Sequence, residues 1–103
     1  MSKRLAVLEK MTAAPSADSF AWYGLAMEYR SLGRADDALR TFETLRGRDA
    51  AYVPMYLMAA QLLVELGRRD EARTWATEGV AAAQRKGDTH AIGELEGLLA
   101  GLG

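Results

Sequence analysis

The sequence predicts an all-α fold of stacked antiparallel helix hairpins, about six helices and no strand. Three observations lead there. The stretch Leu32-Gly33-Arg34-Ala35-Asp36-Asp37-Ala38 recurs as Leu66-Gly67-Arg68-Arg69-Asp70-Glu71-Ala72, an offset of 67 − 33 = 34 residues. Apolar residues recur at spacings of three and four on both sides of each copy. Only two prolines interrupt a chain of 103 residues rich in alanine and leucine, both strong helix formers. Each copy of the echo reads as the bend of a hairpin.

In chain order, Ser2 can cap a short amphipathic helix in which Leu5, Leu8 and Met11, with Val7 beside them, recur at helical spacing. Pro15 stops it, because a proline disfavours helix at the residue before it. Ser16 or Asp18 caps the second helix, whose stripe is Trp22, Leu25, Ala26, Tyr29 and Leu32. Gly33 ends it in a left-handed turn. Asp36 and Asp37 favour the positive end of the third helix, where Ala38, Phe42 and Leu45 form the inner stripe until Gly47-Arg48-Asp49 closes it.

Pro54 suits the first turn of a fourth helix, and Tyr56, Ala59, Ala60, Leu63 and Leu66 repeat the earlier stripe up to Gly67. Asp70 and Glu71 open a fifth helix with Ala72, Trp75 or Ala76, Val80 and Ala83 along one side, ending at Arg85-Lys86-Gly87. Asp88 or Thr89 caps the last helix. Ala91, Ile92, Leu95, Leu98, Leu99 and Leu102 lie along one side of it, with Gly93, Gly97 and Gly101 on another. Glycines four apart in a helix predict a close-packed terminal cap, the alternative being a surface bound by another copy of the protein.

The length is that of a single domain spanning residues 1–103, divided into an N-terminal helix over 1–14, repeats over 17–51 and 52–86, and a capping helix over 88–102. Thirteen basic and 14 acidic residues leave no cationic surplus for a nucleic-acid backbone. No cysteine is present, which removes disulfides and thiolate ligands and fits a reducing compartment. The basic start Met1-Ser2-Lys3-Arg4 is followed by an apolar stretch broken at Glu9 and Lys10. The expectation is therefore a cytoplasmic protein with no signal peptide and no membrane partner.

Without a gap, residues 18–51 and 52–85 share six identities, five inside the bend and the sixth at Ala26 and Ala60. Character matches elsewhere: Trp22 stands with Tyr56, Tyr29 with Leu63, and Asp37 with Glu71. Two helices per 34 residues is the period of tetratricopeptide repeats. Trp22-x-x-Leu25-Ala26-x-x-Tyr29 resembles that family's large–leucine–small–tyrosine signature. Gly33 stands as its inter-helix glycine, Ala38 as its small residue and Phe42 as its second-helix aromatic. The second copy keeps Tyr56, Ala60, Gly67 and Ala72, but has Ala59 for the leucine, Ala76 for the aromatic and Gly79 for a larger residue. The resemblance covers residues 19–85 and implies a right-handed superhelix of hairpins. Gly24 and Glu28 become Met58 and Leu62 one repeat later, as expected if these slots face a preceding helix.

Nothing in the chain has the pattern of a catalytic centre, and no cofactor or metal is expected. His90 is the only histidine, so a metal site has no nitrogen or sulfur partners to recruit. Ser16, Ser19 and Ser31 lack a histidine in catalytic spacing, and Asp36, Asp37, Asp70 and Glu71 stand at helix starts, where they favour the dipole. A groove remains. With the Trp22 stripe turned to its partner helix, the positions about 100° further round the helix are Phe20, Tyr23, Met27 and Arg30, then Leu57, Gln61, Val64 and Glu65 in the second repeat.

By its resemblance, this would be the concave surface that commonly holds peptides in tetratricopeptide proteins. Its aromatic, methionine and leucine side chains suit an apolar peptide or amphipathic helix of a partner protein. The family's carboxylate-clamping variant uses several lysines, arginines and asparagines. Only Arg30 stands here, with Glu65 opposed, so that function is disfavoured. The alternative is a homodimer through the groove and the last helix, or a groove covered by the N-terminal helix.

Overall fold

A computed structural model describes residues 2–103 as six helices with no strand among them. These are α1 (Lys3–Thr12), α2 (Ser19–Ser31), α3 (Ala35–Arg48), α4 (Pro54–Glu65), α5 (Arg69–Lys86) and α6 (Thr89–Leu102). They form two compact units, one ending at Asp49 and the other spanning Ala50–Gly103.

In the first unit α2 packs on both α1 and α3. Ser2 caps α1 by accepting from the Leu5 amide at 3.1 Å, and Asp18, not Ser16, caps α2 through the Ala21 amide at 2.8 Å. The bend then takes the form the glycine demands. Gly33 has φ 76, its amide donates to the Arg30 carbonyl, and the Arg34 amide donates to the Tyr29 carbonyl. These two bonds satisfy carbonyls that a helix end leaves unpaired. Ala26, Ala38, Phe42 and Leu45 are fully buried. The stripe stops short of its last expected member, because Leu32 is the C-cap of α2 and lies exposed.

Gly24 and Glu28 turn to the preceding helix, as the repeat comparison predicts. A Cβ on Gly24 would stand 3.2 Å from the Leu8 side chain. The Glu28 carboxylate accepts from the Ser2 hydroxyl at 2.7 Å and lies 3.6 Å from the Arg4 guanidinium.

The second unit repeats the bend atom for atom. Gly67 has φ 76, its amide donates to Val64, and the Arg68 amide donates to Leu63. Arg34 and Arg68 then occupy the N-cap positions of α3 and α5 and reach the acidic residue three places on. The Arg34 Nε lies 2.8 Å from Asp37, and Arg68 makes a two-point contact with Glu71 at 2.8 and 2.7 Å. Arg40 and Arg34 hold the Asp37 carboxyl below the usual carboxylate range, and Arg68 does the same for Glu71. Leu66, like Leu32, is an exposed C-cap residue.

Packing in the second hairpin explains the departures from the repeat signature. Its aromatic stands one residue early. Trp75 and Ala76 are both buried, and the Trp75 ring meets Tyr56 at a centroid distance of 5.9 Å and an angle of 55°. Gly79 makes the room this requires, since a Cβ there would fall 2.5 Å from Tyr56 Cβ and 3.0 Å from Leu95 Cδ1. The three glycines of α6 correct the expectation of a close-packed cap. All three are exposed, and a Cβ on Gly93, Gly97 or Gly101 would meet nothing within 4 Å. The helix docks on α5 and α4 through its other side, where Leu95 and Leu102 are buried.

Opposite outcomes follow for two glycine substitutions. Gly97→Ala should raise stability by about 1 kcal/mol, the helix-propensity gain with no contact to disturb. Gly79→Ala should lower it by about 1–3 kcal/mol, because Tyr56 and Leu95 must shift to admit the methyl group. Urea denaturation of both variants, read as opposite shifts of the midpoint, checks the pair.

Candidate functional site

The expected groove residues lie on α2 and α4. On α2, Phe20 is 71 % exposed, while Tyr23, Met27 and Arg30 are half-buried. The spacing places all four on one side of the helix. Burial and, against it, the nearby Arg30 charge act on the Tyr23 phenol, and burial wins, so its pKa rises above 10.0. The N-terminal helix packs beside this face and leaves Phe20 exposed. Its contacts with α2 lie at Gly24, Glu28 and Tyr29.

On α4, Leu57, Gln61 and Val64 are half-buried and Glu65 is exposed. Gln61, Val64 and Glu65 line a cleft of about 350 Å³ whose other wall is Gly97, Leu98, Gly101 and Leu102 of α6. Arg69, at the start of α5, closes one end and donates from Nη2 to the Leu102 carbonyl at 2.9 Å. The sequence places the last helix in a possible homodimer contact but does not reveal it as one wall of a cleft beside α4. The signal of that wall was present in the sequence, as three helix-weakening glycines on the side away from the leucines. Read as a packing device, that signal concealed a bare wall.

A second cleft lies in the first unit, about 380 Å³ in volume and bounded by α1, α2 and α3. Glu9, Trp22, Tyr29, Asp37 and Arg40 are among the residues lining it. The Tyr29 hydroxyl donates to Glu9 at 2.8 Å, and the Arg34 guanidinium stacks over the Tyr29 ring at 4.7 Å. The hydroxyls of Thr12, Thr41 and Thr44 each donate to a backbone carbonyl of the turn before, so they meet the cleft as acceptors. The Trp22 indole Nε1 is buried without a hydrogen-bond partner, and Arg48 lies over its ring at 5.2 Å.

Residues weighed for chemistry fall in ordinary structural roles. His90 lies on the exposed side of α6, 3.2 Å from Glu94, and the Ser19 hydroxyl donates to Asp49 at 2.6 Å. Among the described residues no three histidine or carboxylate side chains gather as a metal centre requires, and no helix is long and apolar enough to cross a membrane.

Helix hairpins closed twice by the same glycine bend define a helical-repeat protein. The tetratricopeptide repeat profile matches residues 29–92, more than half of the chain. The chain belongs to the tetratricopeptide repeat family. Among solved structures, a tetratricopeptide repeat domain protein from Salinibacter ruber is 30% identical, with 82% of this chain and 94% of that one covered and a TM-score of 0.77. Protein BPP2914 from Bordetella parapertussis is 27% identical over 99% of this chain and 89% of its own, with a TM-score of 0.82. PcrH from Pseudomonas aeruginosa shares the fold at 18% identity, with 95% and 75% covered and a TM-score of 0.86. None of the curated proteins matches the chain.

The Tyr29–Glu9 contact gives a direct check on the first-unit cleft. Burial, the bond to Glu9 and the charge of that carboxylate all hold the proton on Tyr29, lifting its pKa above 10.0. Because the folded value is raised, the stabilisation this bond brings is complete below the ordinary tyrosine pKa. It is lost as the pH rises through the higher folded one. Glu9→Gln should shift the Tyr29 titration downward in an NMR-monitored pH series, and an unmoved midpoint would show that Glu9 does not act on it.

Proposed function

We propose that the protein is a non-catalytic interaction module, an adaptor or scaffold, whose inner helix faces take an apolar peptide or amphipathic helix of a partner protein. The residues assigned to this contact are Phe20, Tyr23, Met27 and Arg30 on α2 and Leu57, Gln61, Val64 and Glu65 on α4. One observation carries the reading. The α2 face presents an exposed phenylalanine beside a half-buried tyrosine and methionine, while α1 is docked beside it. A large aromatic in water contributes nothing to folding, yet it brings one of the largest gains available when a partner covers it. Methionine adapts to irregular apolar surfaces.

PcrH supports the reading by analogy of fold. It has been seen in complex with the chaperone binding region of PopB, in a structure 19% identical to this chain with a TM-score of 0.78. A second reading, self-assembly of the chain through these faces and α6, is favoured by the bare glycine side of α6.

The double variant Tyr23→Glu, Met27→Glu should abolish capture of partners from lysate of the native host while the helical circular dichroism signal is kept. Capture that survives the substitution would remove α2 from the interaction surface.

A further inference from the structure

The two ends of the chain carry complementary surfaces. Helix α1 has two faces. Leu5 and Thr12 are buried and Leu8 reaches Gly24 of α2, whereas Val7 and Met11 lie 57 % and 49 % exposed on the outer side. Lys3, Val7 and Met11 follow each other at intervals of four, which aligns them as one ridge, with Lys10 beside it. The outer face of this ten-residue helix thus holds two of the five exposed large apolar side chains among the described residues, flanked by two exposed lysines.

The cleft in the second unit is its counterpart. Gly97 and Gly101, four apart, line it as a furrow wall, and a Cβ on either would meet nothing within 4 Å. Leu98, Leu102 and Val64 supply apolar walls. The charged groups about the cleft are Glu65 and Arg69 in its lining, Arg69 being turned onto the Leu102 carbonyl, and Glu94 one turn before Gly97, 3.2 Å from His90. Helices α4 and α6 hold three glutamates and no lysine or arginine.

We propose that α1 of one copy docks in the α4–α6 cleft of a second copy, head to tail. Val7 and Met11 enter the furrow over Gly97 and Gly101, and Lys3 and Lys10 meet Glu65 and Glu94. A ridge of side chains four apart fits a furrow of the same spacing, the commonest way for two helices to pack. Glycine floors let the backbones approach, and the lysines of the ridge are opposite in sign to the glutamates of α4 and α6. At about 350 Å³ the cleft lies at the small end of binding pockets, suited to a few side chains and not to a folded domain. The contact is heterologous, since ridge and furrow are different patches, so it extends into chains or closes into rings. One short helix buries less than the roughly 1,200 Å² of a stable complex, and the association is therefore weak and concentration-dependent.

This inference rests on the reading of the inner faces as a docking surface, and complementation tests it. The ridge variant is Val7→Glu with Met11→Glu, and the furrow variant is Gly97→Leu with Gly101→Leu. All four positions are exposed and the new residues favour helix, so circular dichroism should be unchanged. In sedimentation velocity from about 10 to about 500 µM, the range where weak contacts become populated, the wild-type mass should rise with concentration. Each variant alone should associate at least tenfold more weakly. An equimolar mixture should form a one-to-one heterodimer and nothing larger, because only one ridge and one furrow remain. As a second measure, Lys3→Glu with Lys10→Glu should weaken wild-type association in the same assay.

A wild type that stays monomeric, variants that associate as it does, or a mixture that stays monomeric would overturn the proposal. Partner capture by the furrow variant separates the two readings. If the wild type is monomeric and capture is lost, self-docking fails while the docking surface stands. If capture is also unchanged, both fail at this cleft.

Discussion

Everything in this fold follows from two glycines held where other residues resist going. Gly33 and Gly67 share φ 76, a left-handed value that costs a residue with a Cβ about 1–2 kcal/mol. Placing glycine there lets two amides turn back onto the last carbonyls of α2 and α4 and directs the chain into α3 and α5. Because an α-helix sets its faces by counting from its ends, fixing the bend fixes which positions point inward. Ala26 and Ala38 become fully buried, Phe42 a fully buried ring, and Phe20 an exposed one. The arginine after each glycine reinforces the geometry by binding the acidic residue three places on.

Within that frame the two hairpins solve one packing problem in different ways. The first places large residues at Leu25 and Phe42 and keeps Ala26 and Ala38 small. The second has Ala59 in place of the leucine and moves its aromatic to Trp75, against Tyr56. Volume lost at one position is recovered at its neighbour, and Gly79 admits the displaced rings. Interiors are packed too densely for such an exchange to be made at one position alone. The departures from the repeat signature are thus a coordinated set.

The bends, the caps and the helix count were legible in the sequence because each depends on local chemistry. Glycine, proline and capping side chains act within a few residues of their own position. Helical periodicity likewise assigns side chains to faces of α2 and α4 once the bend is known. What was not legible depended on neighbours. Leu32 and Leu66 fit the stripe by spacing, yet as C-cap residues they point away from it. The glycines of α6 announce that something must come close, without saying whether it belongs to the same chain. Periodicity names a face but not what lies opposite. The cleft between α4 and α6 was missed for that reason, although Gln61, Val64 and Glu65 on one wall had been identified.

The face of α2 and the cleft beside α4 differ in kind. The face of α2 is made of side chains that protrude, with Phe20 standing in water. The cleft beside α4 is a recess with a glycine wall, shaped by what is missing. Protruding apolar groups accept many complementary surfaces and select weakly, since most of their gain comes from area alone. A recess selects by exclusion, because a side chain too large or a charge of the wrong sign meets backbone or a glutamate and pays for desolvation with no partner. Under the proposed function, α2 would contribute affinity and the α4–α6 cleft specificity. Gly97 and Gly101 weaken α6 as helix residues, and the bare side they give it is what leaves that recess open.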